Sequence, residues 1–309
     1  MSQHTQNNGL DGINIDFGGL LNVFSGNRYK WLLLAVAIVS TLVILSILRG
    51  LYTDLIWFRE LSYSSVYIKI LTTKILLFII GFVVFGIICS ASLYTAYRWS
   101  IGEYVVAVPL QIKNVLGKVL IIGSGAVVIV LGLCFGVSFA SKWELFLKAA
   151  NSVSFQISDP IFNKDISFYI FSLPVYDFIN GWILSAVIAI GVATGAMYFL
   201  NYSARGVGIK FTGNFLVHLS IIASIIMIIV GVGHWIDRWG LVLSESGLYF
   251  GATYTDVNAR KPALLILTLI SFASAALMLA NIYKKDLKII VGAFGLWIIF
   301  LLTLTLAWP

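Results

Sequence analysis

Charged side chains are scarce in this sequence. They make up only 11% of its 309 residues, whereas hydrophobic residues account for 60%. A soluble domain usually carries about 25% charged and roughly 45–50% apolar residues. Because a soluble core could not bury so much apolar surface, the composition excludes an ordinary soluble enzyme fold. It predicts instead that lipid is the solvent for much of the chain.

Cysteine and histidine are also rare. The two cysteines, Cys89 and Cys134, each lie inside an apolar run, and the three histidines, His4, His218 and His234, have no metal-ligand spacing. The sequence therefore contains no recognisable disulfide framework or metal motif, and we expect no metal and no cofactor.

The formal net charge of +7 raises the question of a nucleic-acid partner. The basic residues, however, stand singly or in pairs at the ends of apolar runs. This is the pattern of charges that flank membrane spans, so no nucleic-acid partner is expected.

Long apolar runs are what the sequence has in abundance. About 20 helical residues cross a hydrocarbon core of roughly 30 Å. Seven runs approach that length, at 31–48, 75–97, 119–140, 182–200, 215–232, 262–282 and 287–306. They lack the alternation of barrel strands, so each is predicted to be a helix. The predicted fold class is all-α, a polytopic transmembrane helical bundle of about seven spans over residues 28–309.

The orientation is predicted from the basic residues. Residues 1–27 contain no apolar stretch and are rich in Asn, Gln and Gly, so they are predicted to be a disordered cytoplasmic tail. With the N-terminus inside, the inner connections are short and dense in Lys and Arg, as the positive-inside rule requires. Seven spans then place the C-terminus outside the cell.

Three longer connections face outward in this topology, at 49–74, 141–181 and 233–261. They are unusually rich in Phe, Trp and Tyr. Aromatic side chains favour the membrane interface, so these outer loops are predicted to be ordered and packed on the membrane surface.

Ionisable residues at bilayer depth usually mark an ion or proton pathway. Apart from Lys288, the second residue of the seventh run, none of the seven runs contains Asp, Glu, Lys or Arg. The one histidine in these runs is His218, about one turn inside the fifth. It fits either a packed interfacial histidine or a relay or ligand.

Small residues recur at helix-packing intervals within the runs. The pairs are Gly132 with Gly136, Gly191 with Gly195, and Ser220 with Ser224. Close contact inside the bundle and a homodimer seam would both explain them.

The polar residues of the outer loops are the remaining candidates for a site. They are Asp159, Asp165, Asp237, Arg238, Asp256, Asn258 and Arg260. One interpretation makes them a polar site on the outer face, and the other makes them ion pairs and caps that tie the loops to the bundle. No nucleophile stands beside a base, so no catalytic residue is predicted and an enzymatic activity stays open.

Three loop segments carry a family resemblance. They are Tyr52 to Phe58 followed by Leu61 to Tyr67, the stretch Asp159 to Tyr176, and Tyr254 to Arg260. In this order they resemble the UPF0182 family of uncharacterised bacterial multi-pass membrane proteins, from about Arg28 to the end. The resemblance implies a bacterial plasma-membrane protein whose seven N-terminal spans precede a large extracytoplasmic domain. That domain is not in this sequence, so we expect the chain to be a fragment or truncated product.

The leading functional hypothesis is a membrane anchor or interaction platform. Its partners would be the lipid bilayer and either the chain's own missing extracytoplasmic domain or a partner protein. One alternative is a transporter or channel for a lipid or other apolar solute, and another is a membrane enzyme acting at the outer interface.

Overall fold

The computed structural model describes residues 28–102, 110–203, 211–244 and 250–307. The predicted disordered tail, residues 1–27, lies outside the described residues. The helices are α1 Arg28–Glu60, α2 Ser64–Gly102, α3 Leu110–Ser141, α4 Trp143–Ala150, α5 Leu173–Ser203, α6 Gly213–Gly240, α7 Lys261–Lys284 and α8 Leu287–Ala307. Short π-helical turns, Phe168–Ser172 and Asp256–Arg260, lead into α5 and α7, and a 3-10 turn, Leu241–Leu243, follows α6.

Seven of these helices, all except the short α4, are long and apolar enough to cross a membrane. Within the described ranges, β structure is limited to isolated bridge residues, Ser158 paired with Asp165 and a further bridge residue at Phe250. The predicted all-α bundle of about seven spans is therefore confirmed.

The structure corrects the expected connection at 49–74. Helix α1 continues to Glu60 and α2 begins at Ser64, which leaves only a tight turn between them. Ser62 adopts a left-handed backbone with φ of 62°, and the Tyr63 N–H donates to the Phe58 carbonyl at 2.8 Å. A search for apolar runs misses such an extension, because a helix can keep its backbone hydrogen bonds after it leaves hydrocarbon.

The chain forms two compact units, Met1–Lys69 and Ile70–Pro309. In the first unit, the Tyr67 hydroxyl donates to the Leu51 carbonyl at 2.8 Å. The rings of Phe58 and Tyr67 also contact each other, with centroids 5.4 Å apart. The first resembling segment therefore forms the packed corner where α1 turns back into α2.

In the second unit, an aromatic core joins α2, α3 and α5. Phe85 stacks on Phe135 with ring centroids 4.4 Å apart, and the Trp182 indole N–H donates to the Phe135 carbonyl at 3.1 Å. Glycine allows the helices to approach: a Cβ on Gly136 would lie 2.9 Å from the ring of Phe78, and one on Gly132 would lie 3.1 Å from the ring of Phe82. These two glycines contact neighbouring helices within the bundle.

Helices α6, α7 and α8 pack around small residues and methionines. Their buried cluster consists of Ala223, Met227, Ala275, Met278, Ile290 and Ala293. The Ser224 hydroxyl donates to the Ala275 carbonyl at 3.0 Å and the Ser274 hydroxyl to the Ala293 carbonyl at 3.2 Å. Small side chains let these backbones come close enough for interhelical hydrogen bonds.

Candidate functional site

The seven predicted site residues lie at one end of the Ile70–Pro309 unit. We call this the loop end and define it as residues 151–172, 234–244 and 250–261. The structure separates the seven into three groups: Asp159 with Asp165 before α5, Asp237 with Arg238 in the last turn of α6, and Asp256 with Asn258 and Arg260 before α7. Each group has its own polar contacts.

Asp159 is a buried carboxylate at a turn, with 6% of its surface exposed. Its oxygens accept from the backbone N–H groups of Ile161 at 2.7 Å and Phe162 at 3.1 Å, and from the Tyr169 hydroxyl at 2.7 Å. Burial opposes ionisation of this group, but the hydrogen bonds from Tyr169 and the backbone outweigh it and lower the pKa of the carboxyl. The carboxylate therefore organises the turn that follows it.

Asp165 organises the adjoining segment in the same way. It accepts from the Ser154 hydroxyl and from the backbone N–H groups of Phe155 at 3.2 Å, Gln156 at 3.0 Å and Ser167 at 2.7 Å. Hydrogen bonds from Ser154 and Ser167 hold the pKa of this carboxyl well below its usual range. Together, Asp159 and Asp165 hold the loop between α4 and α5 in one conformation.

Asp256 is the third carboxylate used in this way, and 4% of its surface is exposed. It accepts from the Ser244 hydroxyl at 2.8 Å and from the Thr253 N–H at 2.9 Å, and it forms an ion pair with Arg260 at 2.9 Å. Asn258 lies outside this network, because its amide donates to the Tyr254 carbonyl at 2.9 Å and its side chain is exposed.

The remaining group, Asp237 with Arg238 at the end of α6, makes weaker polar contacts. Asp237 lies 3.7 Å from the Nδ1 atom of His234, which is an ion pair only when the imidazole is protonated. The guanidinium of Arg238 lies over the ring of Trp235, 4.4 Å from its centroid. Across the described ranges, no hydrogen bond or ion pair joins the three groups into one polar site.

Cations over aromatic rings join the loop end to the helices instead. The Lys164 ammonium lies 4.6 Å from the ring centroid of Phe168 and 5.1 Å from that of Trp239 at the end of α6. The Lys261 ammonium at the start of α7 lies 4.8 Å from the ring centroid of Phe162. Such contacts are worth about 0.5–1 kcal/mol each when exposed. They fasten the loop to two neighbouring helices.

The chemistry available at the loop end is limited. In the part of the chain that the structure describes, no group of three or more His, Cys, Asp or Glu side chains could hold a metal ion. The buried carboxylates accept backbone and hydroxyl hydrogens that hold their own loops. Large apolar side chains remain exposed there, among them Phe250 at 88% and Tyr254 at 84%.

A second polar arrangement lies inside the bundle, and of its members the sequence analysis singled out only His218. The Ser92 hydroxyl lies 2.7 Å from the Thr194 hydroxyl and 3.2 Å from the Nε2 atom of His218, whose Nδ1 atom lies 3.4 Å from the Tyr198 hydroxyl. Each ring nitrogen of this buried histidine therefore has a hydroxyl partner. Only the presence of hydroxyl residues within apolar runs could have indicated such a network.

Comparison with known proteins places these features in a family. The sequence model described as "Uncharacterised protein family (UPF0182)" matches residues 31–309. A UPF0182 protein of Frankia casuarinae is 33% identical over 256 residues, covering 81% of this chain and 25% of that protein. A UPF0182 protein of Corynebacterium jeikeium is 30% identical over 304 residues, covering 92% and 29% respectively.

The relatives are much longer than this chain. A UPF0182 protein of Streptomyces coelicolor is 30% identical over 289 residues, which cover 88% of this chain but only 28% of that relative. The chain thus spans little more than a quarter of the length of these curated relatives. No solved structure matches it. The family match and the relatives confirm the resemblance seen in the loop motifs: the chain belongs to the UPF0182 family.

Proposed function

We propose that this bundle is an anchor and docking platform in the bacterial plasma membrane, with its N-terminus in the cytoplasm and its C-terminus outside. The bound component would be an extracytoplasmic domain or a partner protein. One observation carries the proposal: the carboxylates of the loop end hold the loops in place, while large aromatic side chains of the same loops stay exposed.

Rigid loops with exposed aromatic residues suit a binding surface. Association is costly when loops must be ordered, and a surface that is already ordered avoids this cost. Tyr, Trp and Phe are also enriched at protein interfaces and often contribute most of the binding energy. Phe250 and Tyr254 meet both conditions, since they flank the Asp256 network that ties Thr253 to Ser244.

The length of the relatives supports the choice of partner. The matched region covers only 25% of the Frankia casuarinae protein, so most of that protein lies outside it. An extracytoplasmic domain formed by such additional sequence would fold next to a loop end that faces outward. The loop end would then be its contact surface on the membrane part.

The two alternatives have less support. A transporter or channel for a lipid or other apolar solute would need a path between the helices, whereas buried hydroxyl and amide groups of the bundle are hydrogen-bonded across helix contacts. An enzyme at the outer interface would need a nucleophile and base within reach of each other. The Asp159 and Asp256 carboxylates instead accept hydrogen bonds that hold their own loops.

Co-purification tests the platform. The part of the Frankia casuarinae relative that lies outside its matched region would be expressed separately and captured with this chain in detergent. The double variant Phe250→Ser with Tyr254→Ser is expected to weaken capture at least tenfold, because truncating an interface aromatic commonly costs over about 1 kcal/mol. Tyr283→Ser is the matched control, since Tyr283 is 90% exposed but lies at the opposite end of α7.

The orientation of the chain in the membrane is measured at Tyr254 and Tyr283. In intact cells, a membrane-impermeant maleimide should label Tyr254→Cys but not Tyr283→Cys, with Cys134 replaced by Ser in both. Labelling of Tyr283→Cys alone would reverse the proposed orientation. Equal capture of the wild-type chain and the Phe250, Tyr254 double variant would contradict the platform.

A further inference from the structure

A groove between α2, α3 and α5 opens on the surface of the Ile70–Pro309 unit. Its volume is about 340 Å³. The residues that line it include Ser90, Tyr94, Tyr97, Ile121, Gly125 and Met197. Tyr94 and Ile121 are exposed, whereas Met197 forms a buried floor. These residues belong to helices long and apolar enough to span a membrane, and the exposed Tyr94 and Ile121 would bring the groove into contact with lipid.

The groove has the length of one lipid leaflet. On α2 its lining runs from Ser90 to Tyr97 and on α3 from Ile121 to Ile129. At about 1.5 Å per helical residue, this is a path of roughly 12 Å. Half of a hydrocarbon core of about 30 Å is roughly 15 Å. A single acyl chain of one leaflet could therefore follow the groove along its whole length.

Two cations lie just beyond one end of the groove, on the same faces of α2 and α3 that line it. Arg98 lies four residues after Tyr94 on α2, and Lys118 lies three residues before Ile121 and seven before Gly125 on α3. Residues at these intervals share one face of a helix. The helices are close here, because a Cβ on Gly117 would lie 3.0 Å from the Tyr97 hydroxyl.

Among the described residues, the surroundings of these two cations leave them open to an anion. Both Arg98 and Lys118 are exposed. Neither forms an ion pair with any residue that the structure describes. Arg and Lys are the side chains that bind phosphate best. A lipid whose acyl chain follows the groove would bring its headgroup phosphate to this position.

We propose that the groove binds one anionic phospholipid, with an acyl chain against Gly125 and Met197 and its headgroup at Arg98 and Lys118. The site is separate from the proposed docking surface at the loop end and involves other residues. The apolar floor suits an acyl chain, and the two cations favour a lipid with a negative headgroup over a zwitterionic one.

Native mass spectrometry of the purified chain tests the acyl part of the site. The chain would be titrated with phosphatidylglycerol and with phosphatidylcholine of the same acyl composition. Gly125→Leu fills the groove and should abolish retention of phosphatidylglycerol. Gly123→Leu is the matched control: no atom lies within 4 Å of a Cβ at either glycine, but only Gly125 lines the groove.

The cations are tested in the same titration. Arg98→Gln and Lys118→Gln should each weaken phosphatidylglycerol binding about fivefold, which corresponds to roughly 1 kcal/mol per basic residue near an anionic lipid surface. Lys284→Gln, at the last turn of α7, is the control cation and should change nothing.

Circular dichroism and gel filtration would show that each variant keeps its fold. A single phosphatidylglycerol retained by the wild type and by Gly123→Leu, but lost in Gly125→Leu, supports the proposal. Equal binding of the two lipids, or equal loss in both glycine variants, overturns it.

Discussion

Polar groups at the loop end and polar groups inside the bundle differ in charge and in the sequence separation of their hydrogen-bond partners. At the loop end, Asp159 binds donors two to ten residues away and Asp256 binds the Ser244 hydroxyl twelve residues away. Inside the bundle, the Ser92 hydroxyl meets His218 across 126 residues and the Asn281 amide meets Ser220 across 61.

The comparison separates two physical conditions. A buried carboxylate is tolerable where many N–H donors and nearby water or headgroups compensate for lost hydration. In hydrocarbon the cost is higher, and neutral hydroxyls and amides link helices without it. Charge therefore fixes local loop conformation, whereas neutral polar groups fix contacts between helices that are distant in sequence.

Removing a loop carboxylate should give the largest effect. Asp159→Ala leaves the Tyr169 hydroxyl and the backbone N–H groups of Ile161 and Phe162 without an acceptor. Because each unsatisfied donor costs about 1–3 kcal/mol, we expect a loss of roughly 3 kcal/mol in unfolding free energy. Thermal unfolding in detergent, with limited proteolysis of residues 151–172, measures it. Glu144→Ala, which removes only an exposed pair with Lys148, is the control and should behave like wild type.

An intermediate effect is expected inside the bundle. The Asn281 amide donates to the Ser220 hydroxyl at 3.0 Å, and both residues are buried. A double-mutant cycle of Asn281→Ala and Ser220→Ala should show a coupling of about 0.6 kcal/mol, the average for hydrogen bonds between membrane helices. The Ser124 hydroxyl bonds within its own helix, so Ser124→Ala should be additive with Asn281→Ala. Coupling between Ser124→Ala and Asn281→Ala, without coupling between Ser220→Ala and Asn281→Ala, would contradict the assigned contact.

Acid should have the smallest effect over the accessible range. Hydrogen bonds lower the pKa of both Asp159 and Asp165 in the fold, although burial opposes this at Asp159. Their contribution to stability is complete above the unfolded pKa of about 3.9 and is lost as pH falls through the lower folded pKa. Proteolysis of residues 151–172 should therefore stay constant from neutral pH to about 5 and increase below about 4. Asp159→Asn should flatten this dependence, and an unchanged pH profile in that variant would count against the role of Asp159.

Much of the fold followed from composition. The seven apolar runs predicted the spans because hydrocarbon forces every backbone group in them to bond within its own helix. The extension of α1 to Glu60 could not be predicted this way, since Asp54, Arg59 and Glu60 interrupt the apolar run. The aromatic richness of the loops led us to expect ordered loops on the membrane surface, and this stays a prediction.

The candidate site was predicted less completely. All seven polar residues lie at the loop end, but they form three separate groups, because each buried carboxylate binds donors of its own stretch of chain, at most twelve residues away. The groove beside Gly125 and the partners of His218 had no sequence signal. Both depend on which faces of α2, α3, α5 and α6 meet.

By itself, the sequence determined that this is a helical membrane protein of the UPF0182 family and that its polar residues concentrate outside the spans. Hydrophobicity is a property of each segment, so it needs no knowledge of neighbours. Only the tertiary structure decided which hydroxyls pair, which carboxylates are buried and where a groove remains. These features depend on how the helices are rotated against one another. The helix surfaces are similarly apolar all round, so hydrophobicity alone would allow many rotations. Close packing at glycines such as Gly136 selects one arrangement.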